Sequence, residues 1–197
     1  MQNRGIETKQ QILQSAAACF AKEGYEGTGV LEICNAAGVS KGAFYHHFPS
    51  KHAVFMTLLE DWLDRLDVKL RDIAQSATDV PSSLINMTQV IPGVFNDANQ
   101  QLQMYLEFWA QATRDPLIFE ALIKPYHLYT RYFSALLQKG MEEGSLTGIK
   151  PEIVSKVIIS LAIGVLLQGM LDSNNTDWQE VAESGMRMIT NQIKEEH

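Results

Sequence analysis

The stretch VLEICNAAGVSKGAFYHHFP, Val30–Pro49, decides the fold. Two short helices meeting at a steep angle need three things at this spacing. A small residue inside the first helix lets the second approach, and Cys34 is there. Gly38, four residues later, makes the turn. Val39, Phe44 and Phe48 supply an apolar inner face for the second helix. Ser40 has the side chain of an N-cap and opens that helix, which runs to about Phe48. Such a pair is a helix-turn-helix, whose second helix can enter the major groove of DNA.

Working outward, the chain reads as helix almost everywhere, and period-2 alternation never lasts more than a few residues. On the N-terminal side, Ile12, Leu13, Ala16, Ala17 and Phe20 share one face of a helix over Glu7–Glu23, stopped by Gly24. Thr28 reads as the N-cap of a short helix through about Ala36. On the C-terminal side, Pro49-Ser50 stops one helix and starts a long one, Lys51–Ala74. A polar linker, Gln75–Ser82, follows. Helices are then expected over Ser83–Phe95, Gln101–Arg114, Pro116–Glu143, Glu152–Leu171 and Trp178–Lys194. The expected fold is all-α with about nine helices: a three-helix head, residues 1–50, on a helical bundle, residues 51–197.

Of the 197 residues, 46% are hydrophobic, enough for a head domain and a larger body. The net charge of −7 argues at first against nucleic acid, but its distribution matters more. Residues 1–51 hold five Lys/Arg and four Asp/Glu; residues 52–197 hold eleven and nineteen. A near-neutral head on an acidic body can bind DNA through a few well-placed cations, and the body discourages binding by other faces. Two cysteines, Cys19 and Cys34, imply no disulfide framework and suit a reducing cytoplasm. The N-terminus has no apolar leader, and the longest apolar run, Val157–Leu171, is short for a membrane span. A cytoplasmic protein with no membrane partner is expected.

Three pieces resemble the TetR/AcrR family of bacterial regulators without insertion: IETKQQILQSAAACFAKEGYEGTGV (6–30), AGVSKGAFYHHF (37–48) and FPSKHAVF (48–55). The resemblance implies that Thr28 contacts a phosphate, and that Ser40, Lys41, Gly42, Ala43, Tyr45 and His46 line the DNA side of the recognition helix. It also implies that Lys51 sits against the DNA backbone. Gly29, where the family has a second threonine, and Cys34, where it has alanine, depart from the pattern. The residues themselves agree. Ser40 and Lys51 lie in first turns, where free N–H groups and the helix dipole favour phosphate. Gly42 lets the backbone approach the duplex. Tyr45 can donate to a phosphate, and Lys41 reaches a phosphate or a guanine edge. Few side chains here are long, so DNA shape should share in specificity.

The body carries aromatics at helical spacing: Met104, Tyr105, Phe108 and Trp109 on one helix, Tyr126, Tyr129 and Phe133 on the next. Such stripes are usually core, but Pro125 should kink or interrupt its helix and open space beside them. Met104, Phe108, Trp109, Tyr126, Tyr129 and Phe133, with Gln111 or Gln168 as polar anchors, are therefore the candidate lining of a small-molecule pocket. Glu107, beside Phe108, could be buried, and one carboxylate suits a cationic ligand as well as catalysis. The last two helices have surplus apolar surface, through Val157, Ile158, Leu161 and Val165, and through Val181, Met186 and Ile189. A four-helix interface of a homodimer would cover it, and the resemblance implies the same arrangement.

His46, His47 and His52 lack further ligands at zinc-like spacing, so no metal and no cofactor are expected. Cys19 and Cys34 sit at inward positions and read as small buried side chains rather than redox sensors. No nucleophile elbow, phosphate-cradling glycine loop, HExxH motif or paired carboxylates point to an enzyme. The reading is a homodimeric repressor on a palindromic operator in double-stranded DNA, released by a small apolar or aromatic effector. A DNA-binding regulator or architectural protein with no ligand is the alternative, and only the former would show ligand-dependent affinity.

Overall fold

A computed structural model of the chain describes residues 2–75, 77–96, 106–172 and 175–192. Among the described residues there is no strand, and the protein is all-α. The helices are α1 (Gln2–Gly27), α2 (Val30–Ala37), α3 (Lys41–His47), α4 (Lys51–Gln75) and α5 (Val80–Met87), then a 3-10 turn, Thr88–Val90. They continue with α6 (Ile91–Asn96), α7 (described over 106–112), α8 (Pro116–Glu142), α9 (Pro151–Leu171) and α10 (Trp178–Gln192). They form two compact units, Met1–Asp64 with Asp97–Leu122, and Arg65–Asn96 with Ile123–His197. The unit that holds the head thus also takes the start of α4, the described part of α7 and the start of α8.

In the first unit the helix-turn-helix supplies much of its own core. Ile12, Ala16 and Phe20 recur at one-turn spacing along α1 and are buried with Ile33 and Cys34 of α2, Phe44 of α3 and Phe48 just beyond it. Val54, Phe55 and Leu59 of α4 complete this layer, and Phe108 and Ile118 join it. The Phe55 ring lies 5.3 Å from Phe20 and 4.1 Å from Phe108. Phe44 is fully buried. Its truncation to alanine should cost about 3–5 kcal/mol, a large fraction of the roughly 5–15 kcal/mol that holds a domain folded.

Two details of the head differ from expectation. Gly24 leaves the helical region at φ 75°, ψ 168°, a conformation that suits only glycine, so α1 breaks there before one further turn. Thr28 is not the N-cap of α2. Gly29 holds that position, and the Thr28 hydroxyl turns back to donate to the Gly24 carbonyl at 2.8 Å, buried at 1% exposure. The break at Gly24 frees that carbonyl, and the nearest hydroxyl satisfies it.

The second unit gathers Val80, Leu84 and Met87 of α5, Phe133 and Leu137 of α8, Leu146 of the connection that follows it, Ile158 and Ile159 of α9, and Met186 of α10. Gly140 permits a close approach: a Cβ there would lie 2.6 Å from Leu146. The linker expected over Gln75–Ser82 is partly helix, because Asp79 caps α5 by accepting the Ser82 N–H at 2.7 Å and Pro81 suits a first turn. The single helix expected over Ser83–Phe95 is divided at Thr88–Val90. Pro92 has no N–H to give the Thr88 carbonyl, which loosens the helix at that turn. Pro125, by contrast, does not interrupt α8, which is continuous over 27 residues and absorbs one missing bond.

The apolar run read as short for a membrane lies in a helix of 21 residues. By length and a mean hydropathy of 2.0, α9 could cross one. In this fold it packs against α10, and its Ile158, Ile159, Val165 and Leu166 are buried.

Candidate nucleic-acid interface

The head presents α3 by three local devices. Gly38 ends α2 in the left-handed region, at φ 66°, and its N–H and that of Val39 return to the last carbonyls of α2. Ser40 then starts α3, its Oγ accepting the Ala43 N–H at 3.1 Å. Phe44 and Phe48 anchor the helix from below, both buried. What remains outward is one continuous face: Ser40, Lys41, Gly42, Tyr45 and His46 are exposed, with Ala43 half-buried at its edge. Tyr45 is 54% exposed, its ring edge-on to Phe44 at 5.4 Å.

Lys51 is engaged within the protein. Its Nζ donates to the Tyr25 carbonyl at 2.6 Å and the Thr28 carbonyl at 2.9 Å, and stands 4.2 Å from the centre of the Tyr25 ring. One of its three hydrogens is left for another acceptor. Burial, with the Glu26 and Asp115 charges, raises the pKa of Tyr25, so Lys51 faces a neutral ring. Thr28 is similarly occupied. His52 Nδ1 lies 3.5 Å from Asp115 Oδ2, while Asp115 Oδ1 accepts the Leu117 N–H at 2.8 Å. Among the described residues no group of three His, Cys, Asp or Glu could hold a metal ion. Cys34 is buried, and burial followed by the Glu32 charge pushes the Cys19 thiol up, which keeps it protonated.

The model for the tetR family of bacterial regulatory proteins matches residues 12–57, the segment just described. A second, for the C-terminal part of BetI-type transcriptional repressors, matches residues 88–194. The chain belongs to the TetR family. It is similar to the HTH-type transcriptional regulator YfiR of Bacillus subtilis, at 26% identity over 88% of this chain and 86% of that one. It is similar to UidR of Escherichia coli, at 23% identity over 84% and 83%. In fold it is similar to GusR of Salmonella enterica, with a TM-score of 0.78 and 24% identity over 95% of both chains. This TetR-family protein is a DNA-binding transcriptional regulator, not an enzyme.

The exposed face of α3 in this regulator then has a direct consequence. Lys41→Ala should weaken binding to every duplex alike and flatten the salt dependence by about one unit for each head bound, because each head then releases one counterion fewer. An unchanged slope in a salt titration would remove Lys41 from the interface. Lys51→Ala should instead lower the melting temperature as well, by the loss of two charge-assisted bonds worth about 1.5–3 kcal/mol each at most. Unaltered melting would contradict its hold on the Tyr25 and Thr28 carbonyls.

The residues considered for a ligand are distributed over two units. Met104 lies outside the described residues. Phe108 is 2% exposed against Phe55 in the first unit, whereas Tyr126, Tyr129 and Phe133 belong to the second. Trp109 and Gln168 are exposed, and Gln168 donates to the Gly164 carbonyl one turn back. Gln111 is buried and donates to Glu107 at 3.1 Å. Of the surface residues considered for dimerisation, Ile158, Val165 and Met186 are instead core of the second unit, because the inward faces of α9 and α10 take them. Leu161 and Ile189 are half-buried, Leu161 seated on Gly185, where a Cβ would lie 2.9 Å away. Val157 and Val181 are outward, with Ile153, Leu167, Leu171 and Met188, which were not singled out.

Sequence reasoning did not find the contact that Glu107 makes. Its carboxylate Oε1 accepts the backbone N–H of Tyr25 at 2.8 Å. The two residues are 82 positions apart, so no local pattern could have joined them.

Proposed function

We propose that the chain acts as a homodimeric repressor whose two heads read a palindromic operator and that a small apolar or aromatic effector releases. The observation that carries the dimer is the outward stripe on α9 and α10. Ile153, Val157, Leu167 and Leu171 are 57, 46, 39 and 88% exposed, and Val181 and Met188 of the helix beside it 38 and 68%. Val157–Leu171 contains no charged residue. Single exposed apolar side chains are ordinary, but an uncharged stripe over two packed helices calls for cover. A second copy supplies the same stripe, which is the self-complementarity a two-fold interface requires. Two linked heads also bind a two-part site far more tightly than one, by effective concentration. The setting is the cytoplasm, on double-stranded DNA.

The effector reading rests on Tyr126, Tyr129 and Phe133, which recur at i, i+3 and i+7 along α8 and pack on or in the core of the second unit. Flat aromatic or alkyl compounds should raise the melting temperature by mass action and, at the same concentrations, release the protein from DNA. The DNA probe is a duplex recovered by selection from a random pool. Tyr129→Ala should blunt both shifts and leave ligand-free binding intact. A broad panel that moves neither quantity would favour a DNA-binding protein without an effector.

A further inference from the structure

We propose that Glu107 is a positioning residue for DNA binding: its carboxylate fixes the joint between α1 and α2 from which the helix-turn-helix starts. The proposal rests on the reading of α3 as the DNA-contacting helix. The joint, residues 24–28, leaves regular helix at Gly24 and so loses the regular pairing of its backbone groups. Four of these groups have a named side-chain partner. The Gly24 carbonyl accepts the Thr28 hydroxyl at 2.8 Å, and the Tyr25 N–H donates to Glu107 Oε1 at 2.8 Å. The Tyr25 and Thr28 carbonyls accept from Lys51 Nζ at 2.6 and 2.9 Å. Tyr25 thus has a negative group on its N–H and a positive one on its C=O, each matched to the local dipole. Such charge-assisted bonds are about twice as strong as neutral ones.

The two charges come from different places, Lys51 from the first residue of α4 and Glu107 from α7. Glu107 is itself held: Gln111, one turn on and 6% exposed, donates Nε2 to the same oxygen at 3.1 Å. The Tyr25 ring is packed by Phe55 at 4.5 Å and Phe20 at 5.6 Å, so ring and backbone are both held. α2 begins two residues after Thr28, and α2 and α3 share the Gly38 turn and one core. A slackened joint would tilt both helices together. Base-edge contacts depend on that tilt and carry the sequence information, whereas phosphate contacts, shared by every duplex, carry none.

Glu107→Ala leaves the Tyr25 N–H and the Gln111 amide without an acceptor; Glu107→Gln keeps a carbonyl there. For the selected duplex, Glu107→Ala should bind at least about tenfold more weakly, the factor that about 1.4 kcal/mol represents. Its affinity for a random duplex should fall less than about threefold, within the range of a single neutral bond. Glu107→Gln should bind the selected duplex within the same threefold of the unmodified protein. Wild-type affinity in Glu107→Ala, equal loss on both duplexes, or equal loss in both variants would overturn the proposal. If Glu107→Ala fails to fold, hydrogen exchange at the Tyr25 amide decides. It should be protected in the unmodified protein and in Glu107→Gln, and exchange at the free-peptide rate in the unmodified protein would overturn the proposal. Failure of the unmodified protein to bind any duplex would defeat the DNA reading alone, since Tyr25 protection tests the joint without DNA.

Discussion

In Tyr45→Ala, affinity for the selected duplex should fall by about a hundredfold while the melting temperature moves by no more than a few degrees. The side chain is 54% exposed in the middle of the outward face of α3, flanked by Lys41, Gly42 and His46. Exposed substitutions away from special features usually change stability by within about 0.5 kcal/mol. A lost contact of about 1.4 kcal/mol, repeated in two heads, multiplies to about a hundredfold. The neighbouring residue is the control. Phe44 is fully buried, so Phe44→Ala should cost about 3–5 kcal/mol and lose binding through loss of the folded head. Circular dichroism and melting separate the two. Early melting in Tyr45→Ala would make Tyr45 part of the core and assign the DNA face wrongly.

Val157→Asp and Ile158→Asp should fail in different ways, although the residues are adjacent and both were read as interface. Val157 is 46% exposed and Ile158 2%. Aspartate at 157 meets water in the free protein and an apolar partner only in the dimer, so a soluble, folded monomer is expected. Its DNA affinity should drop because the heads are no longer linked. Aspartate at 158 puts an unpaired charge into the core of the second unit and should give insoluble or unfolded protein. Sedimentation and circular dichroism on the pair read both outcomes. A dimer that survives Val157→Asp would move the interface away from the outward stripe.

The parts of this regulator legible in its sequence are those set by short-range physics. Gly38 at the turn, Ser40 as a cap and the spacing of Phe44 and Phe48 follow from backbone conformation and helical period, and they suffice for the helix-turn-helix. The outward set Ser40, Lys41, Gly42, Tyr45 and His46 follows as its complement. Period alone does not tell which of two apolar faces of a helix turns inward, so in α9 Ile158 and Val165 could not be separated from Val157. Apolar residues on both sides of that helix hid the distinction. The bonds that Glu107 and Lys51 make were hidden for a different reason. Their partners are backbone groups of Tyr25 and Thr28, made available only by the break at Gly24. A backbone acceptor or donor has no side-chain signature, and the cap assigned to Thr28 failed on the same ground. Aromatic spacing along each helix carries no information about which unit that helix serves, so it did not tell that Phe108 belongs to one unit and Tyr126, Tyr129 and Phe133 to the other.

Selection of bound DNA from a random duplex pool tests the reading of this chain most directly. The enriched sequences should converge on one site with two-fold symmetry, its half-sites about one helical turn or a small multiple apart, matching two α3 helices in successive major grooves. Convergence on a site without two-fold symmetry, or no enrichment above the starting pool, would contradict it.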